Sequence, residues 1–431
     1  MKSQSLLSLS AWLLAALAVP LTAAAQDVQQ PTRPAVQYTV TDLGTLPGGN
    51  FSQPFFITKN GRVAGSSNLA DGSSHAVVWA GERADDLGTL GGSNSIAFGL
   101  GHYGQAVGEA ETSASNPDGE DFCGFGTHLI CLPFESANGV MNPLPTLGGN
   151  NGAANAISNR GEVAGLAENS TPDPSCPAPQ VLHFQPVVWE KGVIHRLPTV
   201  GGDPDGVAYE INDNGEVAGA SGTCTTFNPN FLNNLLAVHA LLWENGKATD
   251  LGNLGGQTGQ AGGNAAYSVN NRGDVVGSSD LPGDTTFHAF LWTRKTGMQD
   301  LGTLVGDVAS NSISINDAGS VVGLSLDAGF NPRAFLWEKG LMTDLNTLIA
   351  GDSPLYLLTG CSINSRGEIT GLGVTSTGEI HTYLATPTPV FATSESSSRG
   401  AISRRILSDD VRKLLQQQLR SQSGARFMRM Q

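Results

Sequence analysis

Apolar residues along this chain come in short runs, each a few residues long and closed off by Gly, Asn or Asp. Typical runs are His288-Ala289-Phe290-Leu291-Trp292 and Val217-Ala218-Gly219, and runs of this length and spacing predict strands joined by tight turns. Helical spacing is read only near the end, where Ile406, Leu407, Val411, Leu414, Leu415 and Leu419 fall on one face of a helix predicted within 402–420. Ser408 and the acids after it supply a start signal for that helix.

The strand-forming runs are copies of one unit. Asp-Leu-Gly-Thr-Leu closed by glycine occurs at Asp42–Gly49, Asp86–Gly92, Asp250–Gly256 and Asp300–Gly306, with weaker copies at Pro143–Gly149, Arg196–Gly202 and Asp344–Gly351. The shared leucines, from Leu43 to Leu345, lie 44 to 57 residues apart. Each copy is followed by a variant of Ile-Asn-x-x-Gly-x-Val-x-Gly, such as Ile211–Gly219 or Ile315–Gly323, and then by a variant of His-Ala-Phe-Leu-Trp. Five of the six tryptophans stand at the end of that third element, and in the degenerate second copy Phe134 is expected to take the Trp place. A repeat thus holds four strands: a (ending in Asp-Leu-Gly), b (before Asn-x-x-Gly), c (Val-x-Gly) and d (Ala-Phe-Leu-Trp).

A four-stranded antiparallel unit cannot bury both faces alone, so the copies must stack, with Val275, Phe290, Trp292 and Leu301 expected between units. The ends are out of phase: the first strand, at Tyr38–Leu43, is an a strand with no d before it, and the last, at His381–Leu384, is a d strand with no a after it. Pairing the two completes a seventh unit and removes an exposed edge. The expected fold is therefore all-β, a seven-bladed β-propeller of four-stranded antiparallel blades over 38–385, closed by the N-terminal strand and followed by a short C-terminal helix. The Gly-rich a-to-b link is the connector long enough to cross between blades, which makes b the innermost strand. Its alanines, such as Ala154, Ala156, Ala265 and Ala266, are expected at the crowded axis.

The ordered set of Asp-Leu-Gly-Thr-Leu-Gly-Gly, Ile-Asn-x-x-Gly-x-Val-x-Gly and His-Ala-Phe-Leu-Trp resembles the HAF family of extracellular repeat proteins, over roughly residues 38 to 385. The resemblance implies export and a repeat fold. It brings no catalytic residues.

Composition agrees with many strands and turns: Gly makes up 55 of 431 residues and charged residues are 14%. Residues 1–25 read as a signal peptide, with Lys2, an apolar stretch over Leu6–Leu21 and Ala23-Ala24-Ala25 before the cut. A linker at 26–37 follows, and a Pro/Ser-rich linker at 386–401 precedes the tail at 402–431. A formal net charge of −15 argues against nucleic acid as partner. The eight basic and three acidic residues after position 390 make the tail +5 and leave −20 elsewhere. The basic segment 402–420 is expected to dock on the acidic propeller, meet a partner or contact an anionic membrane surface, unless the tail is disordered.

Candidate chemistry gathers in three long c–d insertions of consecutive repeats, Glu109–His128, Leu166–His183 and Ala220–Val238. Strand alternation puts them on one face, where they form a raised lobe offering Asp118, Glu120, Asp121, Phe122, Phe125, Phe227, Asn228 and Phe231. Loop drift would leave the same pattern. Cys123 with Cys131, and Cys176 with Cys224, are expected as disulfides pinning the lobe, with Cys361 left over on an inner strand. The recurring His75, His239, His288 and His381 sit one to a blade, which spreads them too far for one metal ion and favours a hydrogen-bonding role. No cofactor motif and no nucleophile elbow is present. The expected function is a secreted protein that binds or scaffolds an extracellular or envelope protein or glycan through the lobe. A hydrolase or lyase acting on polysaccharide with carboxylates such as Asp121 or Glu120 is the enzymatic alternative. A structural protein attached to the envelope by its basic tail is the third reading.

Overall fold

The structure, a computed structural model, describes residues 36–388 except 138, 177 and 225–234, together with 405–412 except 410. Its strands form seven antiparallel sheets in sequence order, one to a repeat, which is a seven-bladed propeller. Blade 1 is typical, with Ser52–Ile57, Arg62–Asn68, Ser74–Ala80 and Arg83–Asp86 pairing in that order. The first of these, strand b, is almost wholly buried and the last, strand a, has no buried residue, so b lies innermost. In the last sheet Gln37–Gly44 pairs antiparallel with Ile380–Thr388, from Gln37 opposite Thr388 to Gly44 opposite Thr382.

Each blade is built around a missing side chain. A Cβ on Gly165 would lie 2.0 Å from the Ala153 carbonyl oxygen and 2.9 Å from the Trp189 ring. The glycine of Val-x-Gly therefore leaves the space into which one aromatic ring packs. In blades 1, 3 and 4 the ring is Trp79, Trp189 or Trp243, while in blades 5 and 6 it is Phe290 or Phe335 and in blade 7 Tyr383. Where Phe fills the space, Trp292 and Trp337 are only half-buried. This corrects the expectation for Phe134: it stands opposite Gly108, the Phe place, and Ser136 opposite Ala106 holds the Trp place.

The axis is also filled differently from the expectation. Strand b carries a bulge in blades 1 to 6, with register shifts such as Pro54/Phe56, Ala97/Gly99, Ala208/Glu210 and Ala266/Ser268. The extra residue is Phe55, Phe98, Tyr209 or Tyr267 in those four blades, and a bulge re-aims its side chain. Phe55 meets Phe98 edge-on at 4.9 Å and Tyr209 meets Tyr267 at 5.2 Å, so aromatic rings plug the middle of the ring. Ala154, Ala156 and Ala266 turn instead into the clusters between blades, and only Ala265 joins the axial one.

Candidate functional site

Two ends of the axis concentrate polar side chains. On the loop end, the insertions are partly strand: strand c runs on through Ala106–Ser115 in blade 2 and Glu162–Pro172 in blade 3, into stretches the sequence predicts as loop. Disulfides join Cys123 to Cys131 and Cys176 to Cys224, the second linking the insertions of blades 3 and 4. Both are consistent with an oxidising compartment. Cys361 is buried, outside either bridge, with the Thr359 hydroxyl 3.2 Å from its sulfur.

Glu120 is the hub of the lobe. It is fully buried and accepts from the Val181 and Leu182 backbone N–H at 2.7 and 2.9 Å, and from the Asn151 and Gln180 side chains at 2.9 and 3.3 Å. The same two amides donate to Glu168, from Asn151 at 2.9 Å and from Gln180 at 2.8 Å. Burial, with Glu120 beside it, pushes the Glu168 carboxyl up to about 8 against the opposing pull of those amides. A carboxyl that is protonated at neutral pH removes the repulsion that two adjacent carboxylates would otherwise impose. The pair forms a structural knot: the bonds of Val181, Leu182, Asn151 and Gln180 to Glu120 tie the blade 2 insertion to blade 3.

This revises the predicted lobe surface. Glu120 and Phe122 face the interior, and Phe125 is partly buried against the axial cluster, because the Cys123–Cys131 bridge draws this stretch inward. Asp121 turns back to accept from Gly126 N–H at 2.9 Å, and Asp118 is exposed and accepts from Asn150 at 2.7 Å. Phe227, Asn228 and Phe231 lie outside the described residues.

The recurring histidines have a common partner that the motifs held separately. His75, His288 and His381 each place Nδ1 about 2.8–3.1 Å from the Asp of the Asp-Leu-Gly element: Asp86, Asp300 and Asp42. That Asp also accepts from the following glycine N–H at 2.7–2.8 Å, closing the turn. Burial works against ionisation of Asp42 and Asp300, but the His and Gly bonds hold both carboxyls below their ordinary range. Arg333 takes the His place in blade 6 and bonds Asp344 and Asp307 at 3.0 Å. His239 instead meets Asp203, at 2.7 Å.

His183 lies between two acids, 3.0 Å from Asp205 and 3.4 Å from Asp173. Burial raises the Asp205 carboxyl to about 6, with Asp173 adding to the rise. The three ligand atoms are close enough to surround an ion. Their other bonds are already taken: Ser175 donates to Asp173, and the Phe184 and Cys224 backbones donate to Asp205. That pattern is the His–Asp pair of the other blades with one acid added.

The predicted tail helix lies mostly outside the described residues. Within 405–412, Ser408 starts one turn, and the segment rests on the loop end at blades 6 and 7. Leu407 is buried in the axial cluster and donates its N–H to Asn331 at 3.2 Å, while Arg405 bonds the Thr375 carbonyl at 3.1 Å.

At the opposite end, where the Asn-x-x-Gly turns gather, all seven blades line an axial cavity of about 390 Å³. Asn212, Asn270, Asn316 and Asn364 donate to the carbonyl at the same place in the next blade, the last reaching Thr58 of blade 1 at 2.9 Å. Just below, Ser268, Ser314 and Ser362 accept from the backbone N–H of Ile315, Ile363 and Ile57. The sequence shows the repeating Asn but not that it reaches sideways.

The fold and these two ends define a propeller with a decorated loop face and a regular turn face. No family model matches the chain, and neither does any curated protein. Among solved structures it is similar to the β-propeller domain of the Trilobed protease from Pyrococcus furiosus, at 7% identity and a TM-score of 0.44, covering 81% of this chain and 97% of that one. A streptogramin B lyase is similar at 9% identity and a TM-score of 0.41, covering 83% and 100%. A gluconolactonase from Xanthomonas campestris is similar at 9% identity and a TM-score of 0.35, covering 83% and 96%. These likenesses bring no residue roles with them.

Proposed function

We propose that this chain is an exported binding propeller of the HAF-repeat kind, closed into a ring by its first strand, whose three insertions present a preshaped surface to an extracellular protein or glycan. The observation that carries this is the way the described parts of the insertions are tied to one another. Glu120 of the first receives two backbone N–H groups of the second, and the Cys176–Cys224 bridge fastens the second to the third. A surface whose ordering cost is met on folding binds without meeting it again. Asp118, Thr127 and His128 stand exposed on it.

Binding is placed ahead of hydrolysis for a specific reason. A glycosidase needs two carboxyl groups flanking an open cleft. Glu120 and Glu168 are instead fully buried and share the amides of Asn151 and Gln180. The test is to shorten the three insertions to the c–d loop length of blade 5, confirm folding by thermal melting, and probe arrays of secreted proteins and envelope polysaccharides. Loss of a ligand held by the intact chain supports the reading. Equal binding by both chains, or no ligand for either, counts against it.

A further inference from the structure

The turn face carries a second site, independent of the lobe. Its cavity has the size of a small-ligand pocket and holds on the order of a dozen water-sized groups at ~30 Å³ each. Its wall includes an apolar band, of which Ile57, Ile211 and Ile315 are members, and the Ser and Asn bonds between neighbouring blades fix much of that wall in place.

The rim is electrically divided. On blades 3 to 6, Asn159, Asp213, Asn271 and Asp317 are linked in a chain: Asn159 donates to Asp213 at 2.8 Å, and Asn271 donates to Asp213 at 3.4 Å and to Asp317 at 3.1 Å. Glu210 adds a third acid to the same side. Across the ring, on blades 1 and 2, the corresponding positions are Lys59 and His102, both exposed. Neither makes a hydrogen bond or ion pair among the described residues, in a protein of net charge −15. The His102 ring has only the edge of Tyr103, at 5.3 Å.

A simple anion drawn to Lys59 would share the cavity with the carboxylates of Asp213, Asp317 and Glu210, and a simple cation drawn to those acids would share it with Lys59. A molecule carrying both charges around an apolar body satisfies both sides. We infer that the turn-face cavity binds a small zwitterion of the amino-acid or short-peptide class, with its carboxylate toward Lys59 and His102, its ammonium toward Asp213 and Asp317, and its side chain on the apolar band.

The experiment is titration calorimetry on the full chain with L-leucine and glycyl-L-leucine as probes. N-acetyl-L-leucine keeps only the negative charge, and L-leucinamide keeps only the positive one. At least one zwitterion should bind saturably, with each single-charge analogue at least tenfold weaker. Lys59→Ala with His102→Ala should weaken it at least tenfold, and thermal melting should be unchanged because neither side chain holds the fold. Shortening the lobe should leave zwitterion binding intact, which separates this site from the one proposed above. Absence of saturable zwitterion binding overturns the inference. So does equal affinity for N-acetyl-L-leucine, or binding that survives the double substitution.

Discussion

The loop face and the turn face are made from the same seven repeats and are held together by different means. On the turn face one bond recurs: an Asn side chain reaches the next blade's carbonyl, in four of the seven junctions. On the loop face the bonding is singular, with one Glu120 hub, one carboxyl pair and two disulfides confined to blades 2 to 4. Redundant weak bonds tolerate the loss of one member. A unique knot does not.

The frame shared by both faces is the first thing to break. Gly165→Ala places a Cβ 2.0 Å from the Ala153 oxygen, where neither backbone nor Trp189 can withdraw. The expected cost is about 3 kcal/mol or more, read by denaturant unfolding. A midpoint equal to wild type would show that the Gly–aromatic packing is not what joins the strands.

Next is the loop face alone. Cys176→Ser with Cys224→Ser opens a link between residues 48 apart, and should cost about 3–4 kcal/mol. Hydrogen exchange should rise in the blade 3 and 4 insertions and stay unchanged around Asn270 and Asn316. Uniform exchange over the whole ring would erase the distinction between the faces.

The carboxyl pair gives the comparison a pH dependence. Glu168 is raised from 4.5 to about 8, so the folded chain keeps a proton that the unfolded chain releases. The resulting stability is fully present below pH 4.5 and is lost as pH rises to about 8. Asp205, raised from 3.8 to about 6, acts in the same direction over a lower window, so the Glu168 contribution is read between pH 6 and 8 as the difference between wild type and the Glu168 variant. Glu168→Gln should flatten the stability slope there and melt higher than wild type at pH 8. An unchanged slope would place the titrating group elsewhere.

The smallest effect is expected on the turn face. Asn316→Ala removes one member of the inter-blade series and should cost about 1 kcal/mol. A loss as large as that of the disulfide would mean that the turn face is as dependent on single residues as the loop face.

How far these features could be read beforehand follows the same division. Strand count, blade order and the disulfide pairs follow from motif spacing, because they depend on order along the chain. The His-Ala-Phe and Asp-Leu-Gly elements were each visible, yet the His288–Asp300 contact becomes legible only once strands d and a lie side by side. The alanines were assigned to the axis by size alone, whereas bulges decide which residues face it. A bulge adds one unpaired residue without leaving a distinct composition, so Phe55 and Tyr267 were not foreseen there. The lobe acids misled for a related reason: an acidic loop looks solvated until its amide donors, Asn151 and Gln180, are known to converge on it.

The pairing of Gln37–Gly44 with Ile380–Thr388 also sets an order of events. Gln37–Gly44 leaves the ribosome before a partner that is made more than three hundred residues later, as the 339-residue separation of Asp42 and His381 records. Until then blade 7 lacks its outer strand, and contacts so distant in the chain form slowly. Any truncation that removes the last repeat would leave Gln37–Gly44 as an orphan edge, open to another copy of the chain.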